Sequence, residues 1–201
     1  MSAVAERRTA RPGVISVNEA AYVAGLSVKT VNQAIDREQI PVRELRRESD
    51  RAARGVDASD AVYLRIRQVV APDLWPWLHR FFRGKTLTDV PRQLVAGKVT
   101  FVFEGAIQEA EERLDLLAKI GDRVEKDPAV RGGEPVFRGT RTPVYGIARK
   151  LELGSTVQEL TEDYPHLQAD DFDLARQYAK LYPRRGRPRN EWTRGLKRSD
   201  P

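Results

Sequence analysis

Ser16, Gly25 and Ser27 impose the tightest constraint on this chain, because they set two helix starts and one turn within a short stretch. Ser16-Val-Asn-Glu19 has the form of a capping box: the serine hydroxyl accepts the Glu19 amide and the Glu19 carboxylate returns to the Ser16 amide. The helix so started carries Ala20, Ala21 and Ala24. It stops at Gly25, a residue free to adopt the left-handed conformation a tight turn demands. Leu26 then points inward and Ser27 caps a second helix. That helix is expected to bury Val28, Val31, Ala34 and Ile35, spaced three and four apart on one face. Its other face carries Lys29, Thr30, Asn32, Gln33 and Arg37.

A small Ala21, a Gly25 four residues later and a branched Val31 let two helices cross closely, and in this spacing the chain resembles the helix-turn-helix of bacterial regulators. The resemblance implies that Ser27, Lys29, Thr30, Asn32, Gln33 and Arg37 meet base edges and phosphates. Ile40-Pro-Val-Arg43 follows, then a charged loop from Glu44 to Gly55. Asp57-Ala-Ser-Asp60 is expected to cap a helix carrying Ala61, Val62, Leu64 and Ile66. A strand, a basic loop and a helix in that order resemble a winged, MerR-like arrangement. It would place Arg43, Arg46, Arg47, Arg51 and Arg54 on a wing facing phosphate. The competing reading is a generic three-helix packing module.

The middle of the chain opens with the aromatic run Leu74, Trp75, Trp77, Leu78, Phe81 and Phe82. Val99-Thr-Phe-Val-Phe103 reads as a short strand. A long helical pattern then runs from about Ala106 to Val124. Ile107, Ala110, Leu114, Leu117, Gly121 and Val124 form a stripe at heptad-like spacing, broadened by Leu116 and Ile120. It serves either as intramolecular core or as a dimer seam. A homodimer is expected on either reading, because helix-turn-helix proteins usually read two half-sites.

The densest motif is Gly132-Gly-Glu-Pro-Val-Phe-Arg-Gly-Thr-Arg-Thr-Pro-Val144, continued by Gly154, Asp163-Tyr-Pro165, Leu167 and Gln177-Tyr-Ala179. It resembles a small bacterial domain family of unknown function whose members occur beside PIN-domain toxins as VapB-type antitoxins. The resemblance implies a PIN-domain, VapC-like toxin as partner, within a homodimer or a larger toxin–antitoxin assembly. Taken as residues alone, Gly132-Gly133 permits a turn, and Pro135-Val-Phe137 is extended. Thr142 is expected to cap a helix with Pro143 in its first position. That helix ends at Gly154. Ser155-Thr-Val-Gln158 reads as a further capping box, Tyr164-Pro165 as a break, and Asp170 as the cap of a last helix. Phe172, Leu174, Ala175, Tyr178, Ala179 and Leu181 give that helix an apolar side. Asp170, Asp171 and Asp173 at its start suit the helix dipole and would repel phosphate, so this unit is expected to contact protein. Arg138 and Arg141 could hold a phosphate or bridge carboxylates; the acidity of the segment favours the second.

Charge sharpens the division. Segments 1–70, 71–126, 127–182 and 183–201 carry net charges of +3, 0, −2 and +5. The expected organisation is a disordered leader at 1–13, a winged helix-turn-helix domain at 14–70, a linker or dimerisation segment with the long helix at 71–126, the antitoxin-family domain at 127–182 and a basic tail at 183–201. The fold class is mainly α, with a short strand in the middle segment and three C-terminal helices after a small hairpin. The tail contains Arg-Gly-Arg-Pro, and its candidate residues are Arg184, Arg185, Arg187, Arg189 and Trp192. They plug the acidic metal site of a nuclease toxin, lie along an A·T minor groove, or remain solvated.

Zero cysteine excludes disulfides, thiol catalysis and Cys-ligated metal centres. Two histidines, His79 and His166, leave little from which to build an imidazole metal site. No nucleophile elbow or phosphate-binding loop is present. The expectation is therefore a non-enzyme without metal or cofactor. No apolar run is long enough to span a bilayer, and MSAVAERRTARPG lacks the apolar segment of a secretory signal, so the expected location is cytoplasmic. The function expected is that of a type II antitoxin that neutralises a PIN-domain ribonuclease and represses its own operon by binding operator DNA. The alternative is a free-standing helix-turn-helix regulator with a C-terminal oligomerisation domain.

Overall fold

The computed structural model describes residues 13–45, 53–85 and 87–184; residues 1–12, 46–52, 86 and 185–201 lie outside it. Among the described residues the chain is mainly helical, with a few short strands.

The first elements form as their local chemistry dictates. Helix α1 (Val17–Ala24) starts at Ser16 with both halves of the capping box: the Ser16 amide donates to Glu19 Oε2 at 2.7 Å and the Glu19 amide to Ser16 Oγ at 3.4 Å. Gly25 takes the left-handed conformation at φ 66°, and the Leu26 amide closes the turn on the Ala21 carbonyl at 2.9 Å. Helix α2 (Val28–Asp36) follows, with Ser27 Oγ accepting the Thr30 amide at 3.1 Å. Val31, Ala34 and Ile35 are buried as expected. Val28 is not: as the first helical residue, at the open end of the stripe, it is 42 % exposed.

Strands β1 (Val14–Ser16), β2 (Arg43–Leu45) and β3 (Ala53–Asp57) make an antiparallel sheet in the order β1-β3-β2. Gly55 is required at the centre of this sheet, where a Cβ would meet Leu45 at 2.8 Å and Val14 at 2.9 Å. Helix α3 (Ala58–Ile66) runs directly out of β3. Asp57 stands at its N-cap, but its carboxylate makes no capping bond and accepts two bonds from the Arg43 guanidinium instead.

Helix α4 (Trp75–Phe82) carries the aromatic run, and Leu78 and Phe82 from it are fully buried. Strands β4 (Gln93–Ala96) and β5 (Val99–Val102) form an antiparallel hairpin of which the sequence suggested only the second strand. Helix α5 (Glu104–Arg123) is the longest element. The chain ends in a short pairing of β6 (Val124–Glu125) with β7 (Val136–Phe137) and the helices α6 (Val144–Glu152), α7 (Val157–Asp163) and α8 (Ala169–Leu181).

Two apolar cores result, and α5 enters both. Ile107, Ala110, Leu114 and Leu117 pack with α1, α2, α3, α4 and the sheet residues Ile15 and Val56. Ile120 and Val124 pack with Phe137, Ile147, Leu160, Phe172 and Tyr178. The heptad-like stripe is thus buried within the chain, except at Gly121, which is exposed. Full burial of one such aliphatic side chain is worth about 1.5–3 kcal/mol, and α5 contributes buried side chains of this kind to both cores.

The caps of the C-terminal helices differ from expectation by one or two residues. Pro143, not Thr142, is the N-cap of α6; the Thr142 hydroxyl is drawn away by His166 Nε2 at 2.8 Å. Thr156 and Glu159 form the capping box of α7 in place of Ser155 and Gln158. Gln168 precedes α8, and its amide donates to Asp171 Oδ2 at 2.9 Å, so Asp170 is not the cap.

Candidate nucleic-acid interface

The residues expected to read DNA divide into two groups. Lys29, Gln33 and Arg37 are exposed, stand four residues apart on one ridge of α2, and make no ion pair among the described residues. Ser27, Thr30 and Asn32 are committed locally. Ser27 Oγ lies 2.8 Å from Thr30 Oγ1, and Asn32 Nδ2 donates to the Val28 carbonyl at 3.1 Å.

Asp36 on the same helix would oppose phosphate, and the fold neutralises it. Arg54 of β3 pairs with Asp36 Oδ1 at 2.8 Å, which also ties the sheet to α2. Arg43, expected on the wing, is held by Asp57 Oδ2 through Nε at 3.1 Å and a terminal nitrogen at 2.8 Å. This hydrogen bond and the charge of Asp57 raise the Arg43 pKa further. Arg46, Arg47 and Arg51 lie outside the described residues.

Behind this pair sits Asp60, 3 % exposed. Burial, reinforced by the neighbouring Asp57 carboxylate, pushes its pKa up to about 7; Arg43 and the Asp57 amide pull the other way.

The turn between α1 and α2 is clamped from outside. Arg113 of α5 donates to the Val23 carbonyl at 2.9 Å and pairs with Glu109 at 3.2 Å; Glu109 also holds Arg65 of α3 at 2.5 Å. A Cβ at Gly25 would lie 2.8 Å from the Arg65 guanidinium and 3.1 Å from that of Arg113. At the other end of α1, the Tyr182 phenol donates to Glu19, and Tyr145 in turn donates to the Tyr182 carbonyl at 2.5 Å. Helix α1 is therefore gripped at its C-terminus by α5 and at its N-terminus by the residue that follows α8. None of these partners was identified by sequence reasoning, since they lie 90 and 163 residues apart.

In the C-terminal half the charges are mostly turned on one another. The Arg123 guanidinium forks onto the Asp171 carboxylate, which is 2 % exposed. Burial pushes the Asp171 pKa up, but the bonds from Arg123 and the Gln168 amide outweigh it and hold the group below its ordinary value. Arg138 donates to the carbonyls of Asp122 and Gly121 at 2.7 and 2.9 Å, closing the end of α5, while the Gly139 amide donates to Glu125 at 3.0 Å. That turn is filled by a carboxylate and carbonyls, so Arg138 has the structural role that the acidity of the segment favoured. Arg184 pairs with Glu134 and lies 4.7 Å over the Tyr145 ring. Arg185, Arg187, Arg189 and Trp192 lie outside the described residues.

No group of three or more metal-ligating side chains gathers among the described residues. No helix among them is long and apolar enough to cross a membrane.

Residues 124–179 match the family described as protein of unknown function (DUF433). The uncharacterized protein y4eO of Sinorhizobium fredii is 30 % identical over 200 residues, spanning 94 % of this chain and 87 % of that one. Two crystal structures superpose loosely. A DUF433 member protein from Anabaena variabilis has a TM-score of 0.30 at 28 % identity, over 38 % of this chain and 75 % of its own. Rv2018 from Mycobacterium tuberculosis has a TM-score of 0.36 at 16 % identity, over 80 % of this chain and 95 % of its own. With this domain in its C-terminal half and a relative alike along nearly its whole length, the chain belongs to the DUF433 family.

Proposed function

We propose that this protein is a DNA-binding antitoxin, whose N-terminal unit reads operator DNA and whose C-terminal unit and tail bind and block a PIN-domain, VapC-like ribonuclease. The observation that carries the DNA half is the ridge of Lys29, Gln33 and Arg37 on α2, free of ion pairs among the described residues and relieved of Asp36 by Arg54. Donors at that spacing on an exposed helix reach bases and phosphates from the major groove. In this reading α1, the Gly25 turn and α2 form the helix-turn-helix, and β2 and β3 form its wing. A homodimer presents two copies of α2 to two half-sites. The toxin half rests on the resemblance carried by Gly132 to Val144 and on family membership. The protein acts by binding rather than by catalysis, in the cytoplasm, and represses its own operon.

Selection from a random-sequence duplex library tests the DNA half. The wild-type chain enriches a consensus with two half-sites, and the Lys29→Ala, Gln33→Ala, Arg37→Ala variant does not; equal enrichment by both overturns the assignment. Co-expression with the product of the adjacent reading frame tests the toxin half. A neighbour that is harmless alone, or that does not co-purify, removes it.

A further inference from the structure

We infer that the groove beside the turn between α1 and α2 is a binding site for a small apolar carboxylate of the medium-chain fatty acid type. The groove has a volume of about 540 Å³. Four stretches of chain wall it: the end of α1 with the turn after it, the end of α3 with the residues that follow, strand β5, and the first turns of α5. Small-molecule sites are typically concavities of about 300–1,000 Å³, mostly apolar, with a few polar groups that orient the ligand. This groove has that composition. Leu26, Ile66, Val69, Phe101, Val102 and Ala106 supply apolar walls, and the polar side chains among the lining residues are Arg65, Gln68 and Glu109.

The chain leaves those apolar walls open. Val69 is 86 % exposed and Val102 70 %. The Phe101 ring is held by packing on Trp77, with centroids 5.2 Å apart. Gly105, in the first turn of α5, also lines the groove, and a Cβ there would meet nothing within 4 Å. Covering such surface with hydrocarbon is favourable in proportion to the apolar area removed from water.

Charge at the polar wall selects the head group. Arg65 and Arg113 hold the same oxygen, Glu109 Oε2, at 2.5 and 3.2 Å. Two guanidiniums on one carboxylate leave this group of three a surplus of one positive charge. The two arginine side chains are 29 % and 25 % exposed, so water screens that surplus only in part. Both guanidiniums stand at Gly25, itself a lining residue, where a Cβ would lie 2.8 Å from Arg65 and 3.1 Å from Arg113. Gln68 is committed to the Leu64 carbonyl at 3.3 Å. A carboxylate head group is drawn to the surplus and an ammonium is repelled by it. The ligand so held lies against Gly25 and Leu26, the turn that leads into α2.

Binding at this site does not depend on whether α2 reads DNA. Calorimetric titration of the full chain with decanoate below its micelle concentration, and with decylamine, tests it. Decanoate is expected to bind with a Kd below about 1 mM, and decylamine at least about tenfold more weakly. Gly105→Leu fills the groove from a helical position that tolerates a side chain, and should abolish decanoate binding with the thermal transition unchanged or raised. Arg65→Gln removes the surplus charge, since Glu109 keeps Arg113, and should weaken decanoate about tenfold while bringing the two probes to similar affinity. Absence of decanoate binding by the wild type at millimolar concentration, equal binding of both probes by the wild type, or full binding by Gly105→Leu overturns the inference. A wild-type dimer that Gly105→Leu converts to a monomer in sedimentation velocity assigns the groove to a second copy of the chain and overturns it as well.

Discussion

Helix α2 and helix α8 are both amphipathic and both carry charges, yet the cations on the exposed ridge of α2 are left open while the innermost acid of α8 is buried and paired. On α2 the cations Lys29 and Arg37 are left unpaired among the described residues, and the one acid, Asp36, is neutralised by Arg54. On α8 the inner acid Asp171 is buried and forked by Arg123 from α5. A charge paired inside the chain serves the fold. A row of like charges left open on a rigid helix contributes little to stability and is available to a partner. The ridge of α2 and the inner acid of α8 thus differ in whether the charge is satisfied within the chain.

That contrast can be broken at several points. Arg123→Ala leaves the Asp171 carboxylate buried without its partner and is expected to cost about 3 kcal/mol, the lower end for a broken buried pair because Arg123 keeps a solvent-facing side. Denaturant unfolding checks this, and a loss below about 1 kcal/mol would show that Asp171 finds other solvation.

Asp60 gives the N-terminal half a pH signature. Its folded pKa of about 7 lies above the value of an unfolded aspartate, so the native state binds the proton more tightly. Its contribution is therefore full below about pH 4 and is lost as pH rises through about 7. Asp60→Asn should abolish this slope, on the order of 3 kcal/mol across that window. A variant with the wild-type profile would place the titration elsewhere.

Ser27→Ala and Thr156→Ala each remove a cap and are expected to cost about 1 kcal/mol by thermal unfolding. Because the Ser27 hydroxyl is occupied by Thr30, its loss should weaken duplex binding only in proportion to stability. A larger binding defect would make Ser27 a direct contact.

The features of this fold that were legible in the sequence are those decided within one turn of chain. Ser16, Gly25 and Ser27 act on residues no more than four positions away, and they stand where local chemistry requires. Caps were misjudged where neighbours compete. Ser155 and Thr156 offer similar hydroxyls, and the choice follows Glu159, whose carboxylate returns to the Thr156 amide. Thr142 was lost to His166, 24 residues away. The candidate site follows the same division. Exposure of Lys29, Gln33 and Arg37 follows from helical period alone. The neutralisation of Asp36, the withdrawal of Arg43 by Asp57 and the clamp of Arg113 on Val23 depend on pairings that only the tertiary fold creates. Strands β4 and β5 are equally short, but Gln93-Leu-Val-Ala96 has one β-branched residue and no aromatic, whereas Val99-Thr-Phe-Val102 is β-branched or aromatic throughout, so only the second carries a strand signal.

The smallest expected effect on stability belongs to the residues of greatest functional weight. Lys29→Ala, Gln33→Ala and Arg37→Ala together should leave the unfolding free energy within about 0.5 kcal/mol at each site. The most direct test is therefore the affinity of that triple variant for the duplex selected by the wild-type chain, measured beside its unfolding curve. The account predicts loss of sequence-selective binding with an unchanged transition. Retained selectivity in a fully folded variant would contradict it.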